Sequence, residues 1–150
     1  MITLFLDYDG VLHPEFCRSS EHFKCLPHLE AVLCRVPECE IVISSSWRLT
    51  RPLPALVEAL SAEVRLRVVR TTPTKVLPGE LPESLMAYER EAECHAWLRE
   101  NERAHLPWLA VDDRAWLFKP FNRNVYLVNG RTGLSDGDVD TLVARMVAPL

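Results

Sequence analysis

Thr3-Leu4-Phe5-Leu6-Asp7-Tyr8-Asp9-Gly10-Val11-Leu12 is a short apolar run that stops at two aspartates and a glycine. Such a run reads as a strand buried on both faces of a parallel sheet, and open α/β sheets place their ligands outside the carboxyl ends of the strands. Because strand side chains alternate with a period of two, Asp7 and Asp9 leave the first strand on the same side and hold two negative charges close together. Something has to neutralise them. An ordinary solvated turn can also carry an acidic pair, so the choice rests on what the other strand ends bring.

Working outward, two further apolar runs end in polar clusters. Glu40-Ile41-Val42-Ile43-Ser44-Ser45-Ser46 ends in hydroxyls and is followed by Trp47-Arg48, and Pro107-Trp108-Leu109-Ala110-Val111-Asp112-Asp113 repeats the opening device. Between them lie helical spacings: Leu29, Val32, Leu33 and Val36 with Pro27 near the start and Pro37 at the close, then Leu53, Leu56, Val57 and Leu60 after Pro52. A helix is also expected from Ser84 to about Glu102, its apolar face formed by Tyr88, Ala92, Cys94, Trp97 and Leu98. A weaker, Arg-interrupted strand is expected at Val64 to Val69, at a sheet edge, and a last short one at Asn124 to Val128. Ser135 with Asp138 forms a capping-box pattern ahead of the stripe Val139, Leu142, Val143, Met146 and Val147. Residues 11 to 26 and Thr71 to Pro82 read as loops. Strands alternating with helices predict the α/β class, a mostly parallel sheet with right-handed crossovers, and three polar strand ends on one edge.

The 150 residues, 48% hydrophobic, fit one domain, 1–150, with a sizeable core. The net charge of −4 gives no general field for polyanions, so nucleic acid binding would need a local basic patch. No apolar stretch reaches the length of a membrane span and no basic leader precedes the first strand, so a soluble, cytoplasmic protein without a membrane partner is expected. Five cysteines without a Cys-x-x-Cys pair predict reduced thiols. Cys17, His22, Cys25 and His28 match no standard zinc spacing and read as a loop followed by a helix. His13, His95 and His105 carry no positional signal, and the four tryptophans read as core or rim packing.

If the first strand lies between the second and the fourth, Asp7 is flanked by Ser45 and by Asp112 and Asp113, and with Asp9 four carboxylates crowd one site. An oxygen-only ligand set of this kind favours Mg²⁺. A hard cation beside a carboxylate nucleophile suits phosphoryl groups, with hydroxyl and Arg donors on the remaining oxygens.

These residues resemble the motifs of the haloacid dehalogenase-like (HAD-like) superfamily. Asp7-Tyr8-Asp9-Gly10-Val11 looks like the first motif, Ser45 after Ile41-Val42-Ile43-Ser44 the second, Arg90 at the start of its helix the third, and Asp112-Asp113 the fourth, with Lys75 as the fallback for the third. More narrowly, Ser44-Ser45-Ser46-Trp47-Arg48, the Arg90 to Leu98 helix and Thr132-Gly133-Leu134-Ser135 resemble a small branch of HAD-like domains found with RNA-repair modules. The resemblance implies a single Rossmann-like three-layer domain with strand order 3-2-1-4-5. Residues 11 to 40 and 49 to 108 are already occupied by expected elements, which leaves no room for a cap domain.

By the same resemblance Asp7 would be the nucleophile that forms an aspartyl-phosphate, and Asp9 the acid that protonates the leaving oxygen and then activates water. Asp9 should then be partly protonated near neutrality, raised by the neighbouring carboxylates. Asp7, the Asp9 carbonyl, Asp112 and Asp113 would hold magnesium, while Ser45 and Arg90 would bind phosphoryl oxygens. Ser44 or Ser46 could supply the hydroxyl instead, and Ser46 and Arg48 are candidate substrate contacts. The expected activity is hydrolysis of phosphate monoesters, on a phosphorylated substrate that an open edge allows to be macromolecular, such as a nucleic acid end. The alternatives are an end-repair phosphatase or phosphotransferase and, from another class, a catalytically idle Mg²⁺-binding module.

Overall fold

The computed structural model describes residues 1–148. Five parallel strands, β1 (Ile2–Leu6), β2 (Cys39–Ile43), β3 (Val68–Thr71), β4 (Trp108–Asp112) and β5 (Val125–Leu127), form one sheet in the order β3-β2-β1-β4-β5. The helices between and after them are α1 (Leu26–Arg35), α2 (Leu53–Val57), α3 (Ala62–Arg65), α4 (Glu83–Met86), α5 (Glu89–Glu100) and α6 (Asp136–Val147). This is a single Rossmann-like three-layer α/β domain. No domain is inserted between the strand ends among the described residues, so the fold is capless.

Strand alternation divides the core in two. Ile2, Leu4 and Leu6 of β1, with Ile41, Ile43, Leu109 and Val111, face α1, α2, α3 and α6. Phe5, Val42, Trp108 and Ala110 face Cys94, Trp97 and Leu98 of α5. Phe5 meets Trp97 and Trp108 edge to face, with centroids 5.9 and 5.7 Å away. Central β1 is buried along its whole length, as its unbroken apolar run requires, and truncating a side chain such as Leu4 to Ala would cost about 2–5 kcal/mol.

The same parity sets the site. Leu6 is registered with Ile43 on one side and Val111 on the other, so Asp7, Ser44 and Asp112 follow one rung later at the carboxyl edge. The main chain confirms this spacing, since Asp7 N donates to Val111 O at 3.2 Å and Ser44 N to Leu6 O at 3.0 Å. The Asp7 and Asp112 side chains therefore fall on the α5 face.

Three sequence expectations are corrected. The third strand is Val68–Thr71 rather than Val64 to Val69, because Val64 lies in α3 and is buried with Leu56 and Leu60, and Arg67 turns its guanidinium onto the Leu33 and Val36 carbonyls at the end of α1. It does lie at the sheet edge, with Val69 and Arg70 exposed. The helix expected from Ser84 is two helices, interrupted at Tyr88 (φ −119°, ψ 87°), so that α5 starts afresh and Arg90 falls in its first turn. Val147 closes the α6 stripe in sequence but is exposed. The Ser135 cap holds: its N–H donates to the Asp138 carboxylate at 2.8 Å. No described helix is long and apolar enough to cross a membrane.

Candidate active site

Asp7 and Asp112 end adjacent strands, and Asp113 is the next residue. One carboxylate oxygen from each lies within 4.8 Å of the others. Asp7 and Asp112 are buried. Two anions so close and so dry need a cation, and α5 supplies one. The Arg90 guanidinium donates to Asp112 Oδ2 at 2.7 Å and lies 3.4 Å from Asp7 Oδ2. Burial opposes the charge of Arg90, but the Asp112 and Asp7 carboxylates outweigh it and hold the group protonated. Burial, and then Asp112, push the Asp7 carboxyl well above the usual carboxylate range, with Arg90 pulling the other way.

Asp113 completes the group through glycine. Gly10 has φ +77°, and a Cβ there would stand 2.2 Å from Asp113 Oδ2. The position therefore needs glycine twice, for its left-handed backbone and for the close approach. Burial raises the Asp113 carboxyl too. Its Oδ1 is buried and has no hydrogen-bond partner. An orphaned carboxylate oxygen beside two further carboxylates is a donor set suited to a hard divalent cation, so the residues present fit magnesium.

Asp9 does not join them, which corrects the expected four-carboxylate cluster. Its side chain, 38% exposed, accepts from His13 Nε2 at 2.7 Å and from Trp47 Nε1 at 2.9 Å. The ring of His13 is oriented from its other side, where Nδ1 accepts the Phe23 N–H at 3.3 Å, so Nε2 carries the proton given to Asp9. The His13 bond, opposed by burial and aided by Trp47, holds Asp9 below the usual carboxylate range, the opposite of the raised value expected. Tyr8 still follows the alternation of Leu4 and Leu6, its hydroxyl on the Leu56 carbonyl at 2.9 Å, while the bonds from His13 and Trp47 fix the Asp9 carboxylate outside the close trio of Asp7, Asp112 and Asp113.

His13 was therefore missed by sequence reasoning. Its only signal is its place four residues after Asp9 in a loop without periodicity. Trp47 had a better one, standing directly after a polar strand end. His13, Cys17 and His22 each offer a ligand atom within 4.8 Å of the other two, a different set from Cys17, His22, Cys25 and His28. Both nitrogens of His13 are already committed, however, and Cys25 is turned to the Thr132 carbonyl.

At the end of β2 all three serines stand within reach of the edge in different states. Ser44 Oγ is buried without a partner, Ser45 Oγ accepts the Trp47 N–H at 3.3 Å and keeps its own proton free, and Ser46 is exposed. Arg48 is not an open substrate contact. Its side chain is 3% exposed, ion-paired to Glu93 at 2.6 Å and donating to the Ser44, Ser45, Thr72 and Pro73 carbonyls. It fastens the β2 turn to α5. Lys75 is exposed on its loop, and Arg90 is the basic residue at the carboxylates.

A family model described as the HAD domain in Swiss Army Knife RNA repair proteins matches residues 3–139. No curated protein and no solved structure gives a match.

Proposed function

We propose that this chain, which belongs to the family of HAD domains in Swiss Army Knife RNA repair proteins, is a magnesium-dependent phosphohydrolase that acts on phosphate monoesters through an aspartyl-phosphate. The observation that carries the reading is the convergence of Asp7, Asp112 and Asp113 with Arg90 at one strand edge, around an oxygen that lacks a partner. Asp7, Asp112 and Asp113, with the Asp9 carbonyl, would hold Mg²⁺. When bound, the ion screens the repulsion between a carboxylate nucleophile and a phosphoryl group.

Asp7 attacks phosphorus in line, forming the carboxylate oxygen–phosphorus bond as the ester oxygen leaves. Arg90 and a serine hydroxyl at the end of β2, that of Ser45 with Ser44 beside it, hold the phosphoryl oxygens. Held ionised by His13 and Trp47, Asp9 is set to take the proton of the water that cleaves the aspartyl-phosphate. The same carboxyl, once protonated, serves the leaving oxygen. The substrate is proposed to be a phosphate at the end of a polynucleotide, which the family's association with RNA repair and the capless edge both support.

The test is turnover of a chromogenic phosphate monoester with millimolar Mg²⁺. Turnover is expected to vanish on chelation, and Asp7→Asn should abolish both turnover and trapped aspartyl-phosphate while leaving the melting transition cooperative. Undiminished turnover in Asp7→Asn would overturn the covalent reading. A wild type inert toward every ester tried would favour an idle binding module.

A further inference from the structure

Trp47 joins two parts of the candidate site. Its N–H donates to Ser45 Oγ at 3.3 Å, and its indole Nε1 donates to Asp9 Oδ2 at 2.9 Å. The indole therefore stands between a hydroxyl proposed to hold the phosphoryl group and the carboxylate proposed to serve the leaving oxygen. Its place is fixed by the rings of Tyr8, His13, His22 and Phe23, whose centroids lie 5.2 to 5.6 Å from its own.

Arg51 is seated on this indole. Its N–H donates to the Trp47 carbonyl at 3.1 Å, and its guanidinium carbon stands 4.1 Å from the centre of the Trp47 ring. Such stacking orders a guanidinium through its face and leaves the N–H donors at its rim free. Arg48, three residues earlier, shows the contrast. It commits its guanidinium to Glu93 and to the Ser44, Ser45, Thr72 and Pro73 carbonyls. Arg51 is exposed, and its guanidinium has neither an ion pair nor a hydrogen bond among the described residues. The Asp9 carboxylate does not take it up, because both of its oxygens already accept, from His13 and from Trp47.

An ordered cation with free donors, one indole's breadth from Asp9, is a receptor for an anion. The leaving oxygen of a monoester meets Asp9, so the part of the substrate just beyond that oxygen meets Arg51. In a polynucleotide with a terminal phosphate, the next anion beyond the leaving nucleoside is the phosphodiester that joins it to the second nucleotide. A mononucleotide has no anion there.

We infer that Arg51, stacked on Trp47, forms a subsite for the first internucleotide phosphodiester of a polynucleotide whose terminal phosphate occupies the Asp7 site. The inference deepens the phosphohydrolase reading and rests on it. It gives the capless edge a means of telling a strand end from a mononucleotide.

The probe is a dinucleotide with a terminal phosphate, compared with its methylphosphonate analogue, in which the internucleotide linkage is uncharged. Binding of each to the full chain is measured with millimolar Mg²⁺ in the Asp7→Asn background, which blocks turnover. With Arg51 present the charged linkage should bind roughly 10-fold tighter, as one charge-assisted contact does, and in Arg51→Ala no more than about 2-fold tighter. Arg51→Gln, which keeps a hydrogen-bonding side chain without the charge, should lose the difference as well. Arg51→Lys should keep part of it, since the charge remains while the stacked fork is lost. Equal affinity for the two linkages with Arg51 present, or an undiminished ratio in Arg51→Ala or Arg51→Gln, would overturn the subsite. The binding readout needs no turnover. A wild type inert toward every ester would therefore fail the phosphohydrolase reading while the affinity ratio still judged the subsite.

Discussion

Asp112 and Asp113 are neighbours in sequence, yet their removal should have opposite effects. Asp112 accepts from Arg90 and from the Arg114 N–H, so Asp112→Ala strips a buried guanidinium of its nearer partner and should destabilise the metal-free protein by about 3–5 kcal/mol. Burial and then the Asp112 charge work against an ionised Asp113, which also has an oxygen with no partner, so Asp113→Asn removes a poorly solvated like charge and should raise the metal-free melting temperature. Millimolar Mg²⁺ should raise the wild-type melting temperature by mass action and do so in neither variant. Thermal melts with and without the ion check this, and a wild-type-sized Mg²⁺ shift in Asp113→Asn would remove that carboxylate from the site. His13 is the other informative residue at this scale. It makes a 2.7 Å bond to a charged acceptor, so His13→Ala should lower kcat roughly 10- to 100-fold with little change in KM, and steady-state kinetics would expose an unchanged kcat.

At the scale of elements, the Arg48–Glu93 pair joins the turn after β2 to α5. Burial pushes the Glu93 carboxyl from its ordinary 4.5 up to about 7, with Arg48 partly offsetting it. The folded state therefore holds the Glu93 proton to higher pH than the unfolded chain does. The associated stability is present below about 4.5 and is lost as pH rises toward about 7, at up to about 1.4 kcal/mol per pH unit. Glu93→Gln should flatten that part of the curve, which denaturant unfolding between pH 5 and 8 would measure. An equally steep curve in the variant would place the titration elsewhere. The break between α4 and α5 shows why elements were only partly legible. Ser84 to Glu102 is helix-forming throughout, and nothing local marks Tyr88 as an interruption. The interruption accompanies two placements the sequence does not announce, Leu85 buried on one side of it and Arg90 at the carboxylates on the other.

For the whole molecule, a capless edge leaves the strand ends open, and a small ligand there would be covered by nothing but solvent. A polynucleotide covers the site with its own bulk, so kcat/KM should be higher for a phosphorylated oligonucleotide than for a mononucleotide and should fall with added salt. A preference for mononucleotides or sugar phosphates at every salt concentration would point to a small-metabolite enzyme. By itself the sequence determined the alternation of strands and helices, the lack of room for a cap and the polar residues delivered to one edge, because apolar runs, helical spacing and the residues just past a strand end are local properties, while the strand order followed only from the family resemblance. Only the tertiary structure decided where those side chains point. Past the end of a strand, partners distant in the chain set where side chains settle: Trp47, 38 residues away, helps hold the Asp9 carboxylate, and Glu93, 45 residues away, draws Arg48 inward.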